Sequence, residues 1–370
     1  MNLTERIDRT VSDAIANGSI VGAVTIVMRH GEVAYRKAMG HFDREAGTAM
    51  FPEAIFRIAS VTKPLVAATA LAMVERGLIG LEDAVADHLP WFRPRLPDGT
   101  QPAITIRQLL THTSGITYEW RNVPGLTDGM QQTEMSLEEQ FTLYAEKQPL
   151  AFAPGTAWRY SMGLDVLGAV IEKITGVRLH DAVQSYVATP LGLADTGFVV
   201  TDPARLAIPY ADGAEGAHRM ADPETVQRPA GDGVETFSPS RIFNTRAWQA
   251  GGIGGVSTAD DLVKFFEAIR TGGEPILSRD SVAAGIRNQV GTLPRDVPGQ
   301  RFGFFGGVWE DPAAAGSPFS PGTISWGGLY GHSWFIDPAE GLTVVAMTNT
   351  AVEGCLGNYP GAIARAVYDA

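Results

Sequence analysis

Two stretches, one near each end of the chain, limit the folds open to it. VGAVTIVMRHGEVAYRKAMG, from Val21 to Gly40, holds two β-rich runs around His30-Gly31. HSWFIDPAEGLTVVAMTNT, from His332 to Thr350, holds two more around a turn at Asp337 to Gly341. Both read as hairpins, rich in aromatic and β-branched residues. The long section between them is mostly helical in pattern. It holds Pro64 to Arg76 closed by Gly77, Ile106 to Leu110, Ser136 to Lys147, and Ser161 to Thr175 closed by Gly176. Hairpins at both ends with helices between them imply that the termini meet in one sheet, with the middle inserted as a second lobe. An α+β protein is expected, with 1–58 and 234–370 as an α/β domain and 59–233 as a mainly helical inserted lobe.

Smaller signals fill in this outline. Leu3, Ile7, Val11 and Ile15 recur every four residues, giving an amphipathic first helix that ends near Asn17-Gly18. A short last helix is expected from about Gly361. From about Thr201 to Gly233 the text turns to Pro, Gly, Asp and Ala without periodicity and reads as a long crossover. After it, GGIGGVSTADDLVKFFEAI approaches a helix, with Ser257 and Asp260 spaced like a capping box. Its glycines complete neither GxGxxG nor GxxxxGK[ST], so a nucleotide loop is not expected.

Length and charge narrow the function. At 370 residues the chain is too long for one typical core, in keeping with two lobes. A net charge of −12 opposes nucleic acid or an anionic membrane surface as partner, since both need clustered Lys and Arg. MNLTERIDRT carries its charges too early for a secretory signal, and no apolar region follows. The longest apolar stretch, Leu65 to Val74, is too short to cross a bilayer and includes Thr69. A single cysteine, Cys355, excludes an internal disulfide and a cysteine metal cage. A cytoplasmic, reduced setting is expected.

Several enzyme classes drop out at once. There is no GxSxG; the nearest approach, Gly331-His332-Ser333-Trp334-Phe335, lacks the last glycine and lies in a predicted strand. The seven histidines form no HExxH. A cysteine enzyme would depend on Cys355, which has no obvious base nearby.

ASVTKP, residues 59 to 64, is more informative. With sixteen serines and five lysines in the chain, chance gives about 0.2 Ser-x-x-Lys matches. There is one, Ser60 to Lys63. The β-like run Ile55 to Ile58 leads in, and a helix leads out with Pro64 in its first turn, where a missing N–H costs little. Three residues apart on one helical face, the Lys63 amine lies within reach of the Ser60 hydroxyl. A helix N-terminus also favours negative charge developing there. The plainer reading of the same tetrad is a cap serine beside a solvated lysine.

Two further pieces supply partners. In FAPGTAWRYSMGLD, Pro154-Gly155 turns the chain and Ser161 can cap the next helix, leaving Tyr160 at its lip. A phenol beside a buried ammonium can exchange protons with Ser60. In Trp326-Gly327-Gly328-Leu329, two glycines within a strand mark a close approach by another group. The Leu329 N–H can pair with that of Ser60 as an oxyanion hole.

Together and in this order, SVTK, YSM and WGG resemble the serine β-lactamase and penicillin-binding-protein superfamily. The nearest resemblance is to family VIII carboxylesterases, and within it to the cephalosporin-deacetylating esterases. It extends through ITIRQLLTHTSG, GGIGGVSTADDL and WGGLYGHSWFIDP to nearly the whole chain. The resemblance implies an antiparallel sheet flanked by terminal helices, an all-helical lobe, and an active site in the groove between. It implies Ser60 as acylated nucleophile, Lys63 and Tyr160 as the proton-transfer pair, and no metal or organic cofactor. His112, in LLTHTSG, falls in a segment the family uses structurally. Tyr118, Trp326, Gly327 and Gly328 are candidates to line the groove, and Asp165 is either a partner of Lys63 at one remove or an exposed first-turn carboxylate. Met162 stands where these β-lactamases have an Asn, and Trp326 where they have the lysine of KTG. Both departures lead from charged lactams toward neutral, short-chain acyl esters. Related chemistries are β-lactam hydrolysis, D-aminopeptidase action and acyl transfer to a small alcohol; a sensor that acylates without turning over is the non-enzymatic reading.

Overall fold

The structure is a computed structural model, and it describes residues 1–118, 123–228 and 233–368. Helix α1 (Leu3–Ala16) starts in a capping box between Asn2 and Glu5, and buries Ile7 and Val11. The N-terminal hairpin follows as β1 (Gly22–Arg29) and β2 (Glu32–Asp43). Its turn is His30-Gly31, both at positive φ (51° and 88°), the geometry whose twist matches that of paired strands. A two-residue strand, β3 (Thr48–Ala49), lies along β2.

The rest of the sheet comes from the far end of the chain. It consists of β4 (Gln300–Phe302), β5 (Gly307–Trp309), β6 (Ile324–Gly328), β7 (His332–Asp337) and β8 (Leu342–Thr348). The eight strands run β4-β5-β6-β7-β8-β1-β2-β3, antiparallel throughout. The two termini meet at the β8–β1 ladder, in register from Ala23 opposite Thr348 to Arg29 opposite Leu342.

Both faces of this centre are covered, which is why β1 and β8 read as continuous apolar runs rather than alternating ones. Side chains alternate between the faces. Ala23, Val27, Val344 and Ala346 pack under α1 and the last helix, α6 (Tyr359–Tyr368), which starts two residues before the expected Gly361. Val24, Ile26, Val345 and Met347 face the other way, toward α5 (Ala259–Thr271). There Phe266 stacks on Trp334 with ring centroids 3.9 Å apart, and burying such a ring stabilises by about 1.5–3 kcal/mol.

The helices of the middle section are α2 (Thr62–Glu75), α3 (Leu137–Lys147) and α4 (Gly163–Thr175), with a short Ile106–Leu110 helix among them. Leu65 through Met73 of α2 is buried all round, as its almost wholly apolar text requires, and Thr69 satisfies its hydroxyl on the Leu65 carbonyl. Three local expectations need correction. The cap of α5 is Thr258, whose hydroxyl accepts from the Asp261 N–H; Ser257 is buried one residue earlier and Asp260 pairs with Arg36. Ser161 does accept from the Gly163 N–H, but the residue at the cap of α4 is Met162, which makes no side-chain cap bond. The stretch expected as a crossover carries short strands, Tyr210–Ala211, His218–Arg219 and Glu224–Gln227. They pair among themselves and with residues outside it, a pairing that two- to four-residue strands leave unsignalled.

Candidate active site

Three chain segments converge where the sheet meets the helices. The first is the turn that carries Ser60. Phe56–Arg57 pairs with Val256–Ser257, and the chain then tightens into a 3₁₀ turn, Ala59–Val61, that runs into α2. Ala59 is held at φ +43°, sparsely populated for a residue with a Cβ. Thr62 locks the turn, donating its hydroxyl to the Ala59 carbonyl (2.6 Å) and accepting from the Gly255 N–H (2.9 Å). His112 (φ +59°) and Val352 (φ +73°) are also strained, and both adjoin the site. Such outliers persist where surrounding structure overrides local preference.

Lys63 is the centre of the arrangement. It is only 4 % exposed, and its ammonium has three donors to satisfy. All three are used: to Ser60 Oγ at 3.3 Å, to the Tyr118 hydroxyl at 3.1 Å and to the Gly252 carbonyl at 2.8 Å. Tyr160 meets the same ammonium through its ring face, with Nζ 4.5 Å from the centroid. The Tyr160 hydroxyl accepts instead from the Trp326 indole N–H, at 3.1 Å. Tyr118, expected as a groove wall, thus holds the lysine directly. Burial, with the Asp165 charge next, pushes its hydroxyl well above the ordinary phenol range.

Asp165 is not the exposed first-turn carboxylate that was one of two expectations. It is fully buried, because the segment Gly251–Gly255 crosses over the start of α4. Its Oδ1 accepts from the Gly252 N–H at 2.8 Å, so a single residue, Gly252, joins the carboxylate to the lysine. Burial pushes the carboxyl up to about 6, against the opposing pull of Lys63. The glycines are there for space: a Cβ on Gly252 would overlap the Asp165 carboxylate, and one on Gly255 would stand 2.7 Å from Thr62 Oγ1.

The second pair of glycines is equally constrained. A Cβ on Gly328 would overlap the Ile58 carbonyl oxygen and lie 3.0 Å from Val61 Cγ2, so this strand rests on the serine turn. On Gly327 it would meet Cys355 Sγ at 2.8 Å. Burial pushes that thiol up to about 12, unfit for a nucleophile.

His112 belongs to the frame. Its Nδ1 accepts from the Ser161 N–H (3.2 Å), which puts the ring proton on Nε2. Burial, then Lys63 and Arg295, hold it well below the ordinary imidazole value, so it stays neutral. Met162 is wholly buried in the core and offers no polar group to the groove.

Two contributors escaped sequence reasoning. Gly252 carries the Asp165–Lys63 link, and GGIGG was its signal, set aside once no nucleotide motif was complete. Arg295, in a loop with no motif, lies against Trp326 with its Cζ 5.1 Å from the ring centroid.

A Beta-lactamase family model matches residues 7–366. The chain is 46% identical to Esterase EstB of Burkholderia gladioli, over 99% of this chain and 95% of that protein. The structure of EstCE1, described as a hydrolase with promiscuous acyltransferase activity, matches with a TM-score of 0.95 at 42% identity, covering 99% of this chain and 98% of that one. An octameric penicillin-binding-protein homologue from Pyrococcus abyssi shares the fold at a TM-score of 0.76 and 21% identity, covering 98% of this chain and 76% of that one. A match over nearly the whole sequence, with a near-complete structural likeness, makes this chain a member of the beta-lactamase family.

Proposed function

We propose that the chain hydrolyses short-chain acyl esters through an acyl-enzyme on Ser60, as a family VIII carboxylesterase. It is a carboxylic ester hydrolase of the beta-lactamase family. The observation that carries the mechanism is the buried Lys63 ammonium, bonded to Ser60 Oγ and lying over the Tyr160 ring.

Ser60 Oγ attacks the ester carbonyl while its proton passes into the Lys63–Tyr160 pair, which enters this step one proton short of its ammonium-plus-phenol form and so has a site to receive it. The carbonyl oxygen becomes an oxyanion held by the N–H groups of Ser60 and Leu329, a pairing supported by the packing of Gly328 on the serine turn. Collapse expels the alcohol, which takes that proton. Water then repeats the sequence on the acyl-enzyme, releasing the acid and restoring Ser60. The groove, walled by Trp326, Gly327 and Gly328, lies between the lobe we assign to 59–233 and the domain we assign to 1–58 and 234–370. With a buried methionine at position 162 and an indole at 326, it offers neither an amide nor a lysine to a lactam, and the acetyl arm of a cephalosporin suits it better than the ring. One cysteine fits a reducing compartment, and we place the enzyme in the cytoplasm. Among the described residues no helix is long and apolar enough to cross a membrane.

A second reading, acyl transfer to an alcohol in place of water, is favoured by the described side activity of EstCE1. Turnover of p-nitrophenyl butyrate against nitrocefin, with Ser60→Ala as control, tests the first. Butyrate hydrolysis lost in the variant, with negligible nitrocefin opening, is expected. Product analysis with added butanol tests the second.

A further inference from the structure

We infer that Arg295 is a positioning residue for Tyr160, acting through Trp326: its guanidinium fixes the indole plane, and its charge strengthens the indole N–H that donates to the Tyr160 oxygen. The inference rests on the reading above only in taking Ser60, Lys63 and Tyr160 as the reacting set.

Arg295 lies between the Arg279–Gly285 helix and β4, half-buried in a nest of rings. Its Cζ is 4.2 Å from the Trp158 centroid, 5.1 Å from that of Trp326 and 5.3 Å from that of Phe302. Nη1 donates to the Arg301 carbonyl at 3.2 Å, while the buried Nε has no hydrogen-bond partner among the described residues. Nor does any described carboxylate come within 4.0 Å of the guanidinium. Burial pushes it down to about 10, so it stays charged at neutral pH. A cation enclosed in this way, with Asp296 acting on it only through space and no ion pair within 4.0 Å among the described residues, is costly unless the ring faces compensate it. A surface arginine recruited for solubility would not be held like this.

The rings lead inward. Trp326 packs on Tyr160 with centroids 5.1 Å apart and donates to its hydroxyl. Phe302 braces both Trp326, at 5.2 Å, and His112, at 5.0 Å. Lys63, His112 and Tyr118 also face Tyr160, but through its ring. Among the described residues only Trp326 reaches the phenol oxygen. A cation on an indole face draws electron density from the ring, which makes the N–H a better donor, and linked hydrogen bonds polarise one another in the same sense. The Tyr160 oxygen gains negative charge whenever it gives up its proton, and a stronger donor stabilises that state. Trp326 takes the place of a lysine in the resemblance drawn from sequence; Arg295 returns the charge from behind the ring, beyond direct contact with substrate.

The test uses Arg295→Met, which keeps bulk and removes charge, and Arg295→Lys, which keeps charge, each alone and with Trp326→Phe, which removes the N–H. Two rates are read: phosphorylation of Ser60 by diethyl p-nitrophenyl phosphate, followed by intact mass, and kcat and KM for p-nitrophenyl butyrate. Arg295→Met is expected to lose about tenfold in phosphorylation rate and in kcat with KM little changed, the pattern of an interaction made only in the transition state. Arg295→Lys should recover most of that loss. In the Trp326→Phe background the same Met substitution should cost less than about twofold, because groups that act in series are non-additive. Equal losses in both backgrounds, a loss confined to KM, or no rescue by lysine would overturn the inference. A wild-type protein that is phosphorylated at Ser60 but leaves butyrate intact would refute the esterase reading alone; the phosphorylation rates would still decide for or against Arg295.

Discussion

Gly328→Ala is the most direct test of how the site is held. The one added carbon falls on the Ile58 carbonyl oxygen, with Val61 Cγ2 3.0 Å away on the other side. Neither neighbour can swing aside, since Ile58 donates its own N–H to Gly255 O and Val61 is fixed in the 3₁₀ turn. To regain contact distance, β6 and the serine turn must separate by about 1 Å, and a misplacement of that size costs roughly 10²-fold in rate. Gly328 is not among the residues at positive φ, so alanine brings no backbone strain of its own. The stability cost is that of overpacking, about 1–3 kcal/mol, which a domain of ordinary stability survives. The signature is therefore a large kinetic loss in a folded protein. A stopped-flow burst with p-nitrophenyl acetate reports acylation, and urea unfolding reports the fold. Acylation within fivefold of wild type, at an unchanged urea midpoint, would show that Gly328 does not seat the serine turn.

Other outcomes follow from the same geometry. Ser60→Ala should release no p-nitrophenol above background while melting like wild type; retained activity within tenfold would remove Ser60 from its role. Lys63→Ala and Tyr160→Phe should each lose orders of magnitude in kcat and the double variant little more, whereas multiplicative losses would separate them. Asp165, raised to about 6 in the fold from an ordinary value of 3.8, contributes stability that is full below about pH 4 and is lost as pH rises through about 6. Relative to Asp165→Asn, wild type should therefore lose about 2 kcal/mol of unfolding free energy between pH 4 and 7, and parallel stability curves would contradict the burial argument. A cephalosporin with a 3-acetoxymethyl group should lose acetate with its lactam ring intact, and predominant ring opening by mass spectrometry would favour a β-lactamase.

What could be read in advance follows from how local each cause is. The β1–β2 and β7–β8 hairpins are announced by their own residues, and Ser60–Lys63 is a short-range helical relation. Tyr160 and Trp326 stand out because their neighbours, YSM and WGG, carry recognisable patterns. Asp165 does not, because its burial comes from Gly251–Gly255, some ninety residues on, and an aspartate opening a helix reads the same whether or not another segment covers it. The Tyr118–Lys63 bond is likewise a matter of three-dimensional packing. Arg295 lies furthest from notice, since a cation–ring contact needs no fixed spacing. Thr258 rather than Ser257 caps α5 for a subtler reason: Ser257 has already been claimed by the short ladder with Phe56 and by Thr196.

The β8–β1 ladder has a consequence for how this protein is made. Its two strands are separated by more than three hundred residues, so on the ribosome the N-terminal hairpin emerges long before its partner exists. At roughly 5–20 residues per second that interval lasts some tens of seconds. Throughout it, the backbone of β1 from Ala23 to Arg29 has no β8 to pair with, an open strand edge of the kind that recruits other chains. A protein cut short just before Leu342 keeps seven of the eight strands but loses β8, the one that joins the β4–β7 group to β1–β3. Completion of the last strand and helix is what closes that edge and covers the sheet.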